Sequence, residues 1–547
     1  MRKVIVFLFL ACSFVGFSQE EAWVYFKDKP NSAAFFSNPL SELSQRALDR
    51  RTAQGIVLDL KDAPINQSYI NDITNATGIA VKAKSKWLNC LHVRGSVADI
   101  KALKSLPFVL GVDFADKSLN SSSTKIAAKV KSSTSYKTKE TAVTFNYGSS
   151  SNQIQMLNGH LLHQLNYTGS GKIIAVLDSG FPGVDVATPF KRLRDNNQIL
   201  GGYDYVNKST NYFSGNYHGT SVLSTMGGYV DGQLIGTAPD AKYYLYITED
   251  AISAVPYNEN PVEESNWVEA AEEADRVGVD IITSSLGYFG YDNPNYSHTY
   301  ADMTGNLAFA SQGANIAFDK GIIVVASAGN EGQKVEKHVG IPAEAKNVIA
   351  VGAVKSDETY ALFSSIGPSY DDRVKPDVMA QGQTVVVSDI QGNIGTADGT
   401  SFSCPITSGM LACLWQALPG KTAQQIRQLL VQSSDNFADP AVKSRIQFGY
   451  GIPDFNLALA NGLSVTDFSK TDFVVYPNPT YDSISVTLPN ESNVKTIAIF
   501  NVLGQKVLEK NISNQSSTIS LKSLNNGTYF YKIESKDFSK SGKIIKQ

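Results

Sequence analysis

Four short stretches of this chain hold side chains whose types can combine into one reaction. Asp178 closes the apolar run Ile173-Ile174-Ala175-Val176-Leu177 and is followed by Ser179-Gly180. His218 begins His218-Gly219-Thr220-Ser221, ahead of the helical run Val222 to Met226. Asn330 follows a second apolar run, from Ile322, that ends in Ser327-Ala328-Gly329. Ser401 lies in Asp398-Gly399-Thr400-Ser401, just before a helical stretch from Pro405 to Ala417. Each has an ordinary structural reading on its own: a turn or cap aspartate, a structural histidine, a left-handed asparagine and an N-cap serine. Together they make a set for acyl transfer. A serine hydroxyl is a weak nucleophile that needs an adjacent base, and a buried aspartate fixes the tautomer of that base. A side-chain amide can donate to the oxyanion of the tetrahedral intermediate, and a helix entry adds N–H groups and a positive dipole end.

The elements around these groups predict how they meet. Apolar runs of strand length occur at Lys172 to Leu177, Tyr243 to Ile247, Val279 to Thr283, Ile322 to Ala326 and Val348 to Val354. Between them Trp267, Ala270, Ala271, Ala274 and Val277 recur at helical spacing. Continuous apolar strands separated by amphipathic helices predict an α/β fold: a parallel sheet with helices on both faces. Catalytic groups in such sheets lie beyond the carboxyl ends of the strands, which is where Asp178 and Asn330 fall. This body is expected over residues 147–465.

The flanks differ in character. Residues 1–18 begin Met1-Arg2-Lys3, continue as an apolar run to Val15 and read as a signal peptide cleaved after Ser18 or Gln19. A lipid-modified Cys12 is the alternative, though only a short apolar stretch precedes it. No other stretch reaches about 18 apolar residues, so no transmembrane segment is expected. Residues 19–116 mix strand-like Ala22 to Phe26, helix-like Pro39 to Arg51, alternating Gly55 to Leu60, helical Val97 to Leu103 and strand-like Val109 to Val112, a small α+β domain. Residues 117–146 are rich in Lys, Ser and Thr and read as an exposed linker. A second linker is expected at 466–474, and residues 475–547 carry short strands with Asn/Gly turns, a small β-sandwich. The 48 basic and 51 acidic side chains give a net charge of −3, which excludes a global basic field for nucleic acid. Of the 4 cysteines, Cys404 and Cys413 fall on one helix about 13.5 Å apart and cannot bridge there. His160, His163, His298 and His338 show no zinc spacing.

The order Asp178, His218, Ser401 is that of the subtilisins. The middle of the chain resembles the subtilisin-like serine proteases. The resemblance is carried by Ala175-Val176-Leu177-Asp178-Ser179-Gly180, His218-Gly219-Thr220, Gly236-Thr237-Ala238-Pro239, Ser285-Leu286-Gly287, Ala328-Gly329-Asn330, Val374-Lys375-Pro376-Asp377-Val378 and Gly399-Thr400-Ser401. It implies Asp178, His218 and Ser401 as the triad, and Asn330 as the oxyanion donor. It further implies Ser284, Ser285, Leu286 and Gly287 as a substrate-pairing edge, with Ala326, Ser327, Ala328 and Gly329 lining the pocket for the residue before the cut. Phe402-Ser403-Cys404-Pro405 departs from the family's Met-Ala-Xaa-Pro, a change of helix packing. Residues 19–116 resemble a subtilase propeptide, which implies a zymogen with its own intramolecular inhibitor. The C-terminal segment resembles the type nine secretion sorting domain through Tyr476-Pro477-Asn478-Pro479, Asn501-Val502-Leu503-Gly504-Gln505, Gly527-Thr528-Tyr529 and Lys543 to Lys546. That implies outer-membrane secretion machinery as a partner and a secreted or surface location. The expected function is a secreted serine endopeptidase acting on proteins or peptides without a cofactor. A non-catalytic surface protein of the same fold, or a ligase using the same acyl-enzyme, are the alternatives. The family often binds structural calcium; loops such as Asp292-Asn293 have suitable oxygens but no defined ligand spacing.

Overall fold

The apolar run at Ile173–Asp178 is a strand with every side chain buried, and it sits inside a seven-stranded sheet. The computed structural model describes residues 19–120, 145–251, 259–438 and 443–463, and in the C-terminal part 474–476, 480–487, 494–501, 504–511, 516–535 and 539–547. The signal peptide expected at 1–18, residues 121–144 of the first linker and all but residue 474 of the second lie outside these residues. So do Pro477-Asn478-Pro479 and Val502-Leu503 of the C-terminal motifs. The chain divides into two units, Met1–Leu463 and Ser464–Gln547.

The first unit opens with strands β1 (Gln19–Phe26), β2 (Ile79–Ser85), β3 (Cys90–Ser96) and β4 (Val109–Phe114). They form an antiparallel sheet in the order β2-β3-β1-β4. Its helices are α1 (Ser32–Ser37), α2 (Gln45–Ala53), α3 (Gln67–Thr74) and α4 (Val97–Ala102). Ser44, Asn66 and Ser96 cap the last three with side-chain oxygens. The alternating stretch Gly55 to Leu60 forms no strand. Val57 and Leu60 face solvent, 81% and 59% exposed, so the alternation there marks no buried sheet face.

The α/β body follows. Its strands are β5 (Ile173–Asp178), β6 (Ile199–Asp204), the short hairpin β7 (Tyr229–Val230) and β8 (Leu234–Ile235), β9 (Lys242–Ile247), β10 (Ile281–Ser284), β11 (Ile323–Ser327), β12 (Ile349–Val354) and β13 (Val378–Gln381). A hairpin, β14 (Val385–Ser388) with β15 (Ile394–Ala397), closes the series. Helices α5 (Ser151–Gln155), α6 (Gly159–Gln164), α7 (Lys191–Asp195), α8 (His218–Gly227), α9 (Val262–Val277), α10 (Phe309–Asp319), α11 (Thr400–Ala417), α12 (Ala423–Gln432), α13 (Arg445–Phe448) and α14 (Phe455–Leu463) surround them. The large sheet runs β13-β12-β11-β10-β5-β9-β6, with every neighbouring pair parallel. Alternation along β5 divides the core. Ile174 and Val176 join the cluster with Val222, Met226, Met410 and Leu411 of α8 and α11. Ala175 and Leu177 join Trp267, Ala270, Ala271 and Ala274 of α9 on the opposite face. The chain lays β6 and β9 on one side of β5 and β10 to β13 on the other, so a crevice opens at the carboxyl ends of β5 and β10.

The N-terminal sheet packs on this body through polar anchors. Glu272 of α9, buried, accepts hydrogen bonds from Ser85 Oγ at 2.6 Å, Lys86 N at 3.0 Å and Trp87 N at 2.9 Å. Trp23 Nε1 and His92 Nδ1 both meet Ser265 Oγ, at 2.8 and 2.7 Å. Arg50 and Arg51 of α2 reach the buried Asp275, and Arg51 also pairs with Asp62 at 2.7 Å. In the second unit, strands β16 (Val474–Tyr476), β17 (Ser483–Thr487) and β20 (Ser516–Ser520) form one sheet. Strands β18 (Val494–Phe500), β19 (Lys506–Asn511), β21 (Gly527–Ser535) and β22 (Ser539–Lys546) form the other. Ile484, Val486 and Ile519 of the first share a core with Ile497, Ile499 and Ile533 of the second.

Removing Glu272 strands two backbone donors and a hydroxyl of the β2–β3 turn. Glu272→Ala is expected to destabilise that contact by about 3 kcal/mol. Faster amide hydrogen exchange at Lys86 and Trp87 is the readout; unchanged exchange would rule the anchor out.

Candidate active site

Asp178 ends β5 with 0% exposure, and a bare carboxylate there would be costly. Its Oδ1 accepts from Ser179 N at 2.8 Å, from Ser179 Oγ at 3.2 Å and from His218 Nδ1 at 2.8 Å. Its Oδ2 is buried with no hydrogen-bond partner among the described residues. Two glycines allow the close approach: a Cβ on Gly219 would lie 2.3 Å from Gly180 O and 2.9 Å from Asp178 Cβ. Asn216 sets the start of α8, its Oδ1 accepting from His218 N at 3.0 Å.

His218 is 29% exposed at its side chain. Burial alone would lower its pKa, but the charge and hydrogen bond of Asp178, with the charge of Glu249, leave it raised above the ordinary histidine value. The ring lies 6.1 Å from that of Phe402, the neighbour of Ser401, which sets His218 over the entry of α11.

That entry differs from the expected one. The helix starts at Thr400, five residues before Pro405, and Gly399 rather than Ser401 is its N-cap. Ser401 therefore lies inside the first turn and is not a cap. Pro405 has no N–H for the Ser401 carbonyl, four residues back. Ser285 Oγ donates to that carbonyl instead, at 2.8 Å. The Ser401 hydroxyl donates to Ser285 O at 3.4 Å and makes no hydrogen bond with His218. A bond that long holds the hydroxyl weakly, and rotation about Cα–Cβ re-aims it.

Asn330 is exposed at the end of the loop after β11. Its Oδ1 accepts from Thr400 N at 2.9 Å and from Thr400 Oγ1 at 3.0 Å, which leaves Nδ2 as the outward donor. A methyl group built on Gly399 would sit 3.6 Å from Asn330 Nδ2, 3.6 Å from Ser401 N and 3.7 Å from Ser401 Cβ. Two N–H donors thus border the space beside the serine. Thr400 and Asn216 were not singled out from the sequence. Thr400 sits inside the Gly399-Thr400-Ser401 motif, whereas Asn216 precedes the N-cap Tyr217 and so stands outside the position at which a cap is read from sequence.

The remaining expected residues divide. Ser284 lies within the sheet, paired with Leu177 and Ala326, and its Oγ accepts from Trp267 Nε1 at 2.9 Å. Ser285, Leu286 and Gly287 lie beyond the strand and belong to no ladder. Ala326 and Ser327 are strand residues of β11, and Ala328 N donates to Val351 O at 3.0 Å. Gly329 takes φ +104°, and its N–H reaches Thr400 Oγ1 at 3.1 Å. Among the described residues no group of three or more His, Cys, Asp or Glu side chains is placed to hold a metal ion. In the Asp292-Asn293 loop the Asn293 side chain accepts from Asn295 N at 3.1 Å. Cys90, Cys404 and Cys413 are free and buried. His163 lies between Tyr147 OH and Thr237 O, and burial lowers its pKa to about 4.

Comparison with known proteins adds three matches along the chain. The subtilase family model matches residues 169–451, the Bacteroidota peptidase S8 propeptide domain 21–133 and the secretion system C-terminal sorting domain 474–547. The last of these directs a chain to secretion or surface attachment, and no helix among the described residues is long and apolar enough to cross a membrane. Among curated proteins, Subtilisin NAT of Bacillus subtilis subsp. natto is 32% identical over 281 residues, 51% of this chain and 64% of its own length. Subtilisin E of Bacillus subtilis (strain 168) shows the same values. Serine protease AprX of that strain is 27% identical over 310 residues, 50% of this chain and 63% of its own. The chain thus spans under two thirds of the length of these relatives.

The Asp178 contact makes a direct expectation for titration. A raised pKa means that His218 keeps its proton to higher pH than a free imidazole, so its titration midpoint should lie above about 6.5. Asp178→Asn should bring it down. Histidine NMR shifts followed against pH would report both, and a wild-type midpoint at or below that value would contradict the pairing.

Proposed function

The chain belongs to the subtilase family, and from that premise we propose that it is a secreted serine endopeptidase made as a zymogen. The observation that carries this reading is the 2.8 Å bond between His218 Nδ1 and Asp178 Oδ1, which leaves the other ring nitrogen free to act as base. In the proposed cycle the Ser401 hydroxyl turns from Ser285 O to His218 Nε2. Its oxygen attacks the scissile carbonyl while His218 takes the proton. The oxyanion is received by Asn330 Nδ2 and Ser401 N–H, the two donors beside Gly399. Collapse breaks the C–N bond, and the amine leaves with the proton returned by His218. Water, deprotonated by the same ring, then hydrolyses the acyl-serine, so the reaction needs no cofactor.

Substrate binding follows from the unladdered backbone of Ser285, Leu286 and Gly287, which can pair with an extended peptide regardless of its side chains. Ala326 to Gly329 would line the pocket for the residue before the cut. The N-terminal sheet on α9 is supported as the inhibitory propeptide by its match and its buried anchors, and residues 117–146 are the proposed maturation segment. The sorting domain makes outer-membrane secretion machinery the expected partner.

Ser401→Ala should lower turnover on a peptide substrate by roughly 10⁶, the magnitude known for a subtilisin, and leave the propeptide uncleaved. Product masses should show water added across the cut bond. Normal processing and turnover in that variant would refute the assignment, and products joined to an added amine in place of water would point to ligation.

A further inference from the structure

The end of the sheet away from Asp178 and Asn330 borders a cavity of about 420 Å³ that has no part in the cycle above. The strands are parallel, so the loops that lead into β12 and β13 lie opposite the catalytic crevice. Those loops bring Lys346, Arg373, Lys375 and Asp377 to the cavity wall, and α12 brings Arg427. Four cations thus line it beside one carboxylate.

That carboxylate is already occupied. Asp377 is buried; its Oδ1 accepts from Arg427 Nη2 at 2.8 Å, and its Oδ2 from Lys375 Nζ at 2.8 Å and Ala350 N at 3.0 Å. Arg373 is matched elsewhere: its Nε donates to Asp371 at 2.9 Å, and Glu344 lies 3.8 Å from its Nη2. The excess positive charge therefore rests on Lys346, Lys375 and Arg427, and each keeps a donor. Lys375, 2% exposed, places two of its three N–H groups, on Asp377 and on Val348 O at 2.8 Å. Arg427 Nε is buried with no hydrogen-bond partner among the described residues. Lys346 is exposed and enters no ion pair among those residues. Burial is the main cause that pushes Lys375 to about 8, and repulsion from Arg427 and Arg373 adds to it. An anion received in the cavity relieves that repulsion.

The rest of the wall is of another kind. Gln428 on α12 adds a side-chain amide, and Val431, Phe437 and Tyr450 add apolar surface. The rings of Phe437 and Tyr450 lie 5.8 Å apart, and Phe437 is 39% exposed. We propose that this cavity binds a phosphate monoester whose apolar body is about the size of one ring. The donors come from three separate elements, the loops before β12 and β13 and helix α12. That spread suits the three acceptor oxygens of a tetrahedral dianion better than the flat pair of a carboxylate. Phe437 and Tyr450 then receive the body of the molecule. The site lies away from the proposed substrate path and goes beyond the endopeptidase reading. A ligand there acts on the stability of the α/β body and takes no step in the cycle.

Calorimetric titration of the full-length protein, at about pH 7 where the monoester is largely a dianion, tests this. Ionic strength is held constant, and phenyl phosphate is set against inorganic phosphate, benzoate and phenol. Phenyl phosphate should bind saturably, at least about tenfold more tightly than any of the other three. Lys346→Glu and Gln428→Glu change exposed positions outside the catalytic machinery, and each should weaken it by at least about tenfold. Phe437→Ala should weaken phenyl phosphate and leave inorganic phosphate unchanged. No saturable binding of phenyl phosphate to the wild type overturns the site. Benzoate or phenol bound as tightly as phenyl phosphate overturns the ligand class. Affinity unchanged in both glutamate variants overturns the location. Peptide cleavage is not read at any stage, so failure of the endopeptidase reading leaves this test standing.

Discussion

The architecture turns on one buried carboxylate. Asp178 ends a strand whose whole length is buried, at a depth where an ionised group persists only if its surroundings compensate it. The turn residue Ser179 supplies two donors, and the imidazole of His218 supplies the third. That last bond exists because α8 begins against the end of β5, an approach that any side chain at position 219 would block. Holding the histidine and giving the buried carboxylate oxygen its third donor are the same interaction seen from its two ends. The raised proton affinity of His218 is its electrostatic consequence.

A second constraint fixes the serine. Helix α11 carries a proline six positions into its length, and the carbonyl this leaves free belongs to Ser401. Ser285 fills the gap, so the segment beyond β10 is fastened to the turn that bears the nucleophile. Thr400 performs a comparable service for Asn330, occupying its carbonyl oxygen twice and turning its amide donor outward. Edge, nucleophile and amide are thereby tied into one corner by two short polar side chains, Ser285 and Thr400.

Much of this was legible from residue order, and the exceptions have physical causes. The strands with continuous apolar runs, such as Ile323–Ser327 and Ile349–Val354, were readable because burial on both faces leaves no alternation to confuse. Strand β6 was not, since Ile199-Leu200 gives way to Gly201-Gly202, where a Cβ on Gly202 would meet Leu245 O at 2.1 Å. The stretch Gly55 to Leu60 had the period of a strand without a sheet to join. Pro405 suggested the start of α11, yet the helix begins earlier because a serine from another element satisfies the carbonyl that the proline abandons. Ser284 was expected at the open edge by its place in a motif, but it ends the ladder and the free backbone starts one residue later. The roles of Thr400 and Glu249 needed three-dimensional neighbours, which single-sequence spacing does not supply.

The most direct measurement is the crystal structure of the protein after reaction with a peptidyl phosphonate. The account predicts phosphorus bonded to Ser401 Oγ. Its phosphoryl oxygen should lie within about 3.1 Å of Asn330 Nδ2 and Ser401 N, with His218 still held by Asp178. Phosphorus on another residue, or an adduct whose oxygen points away from both donors, would contradict it.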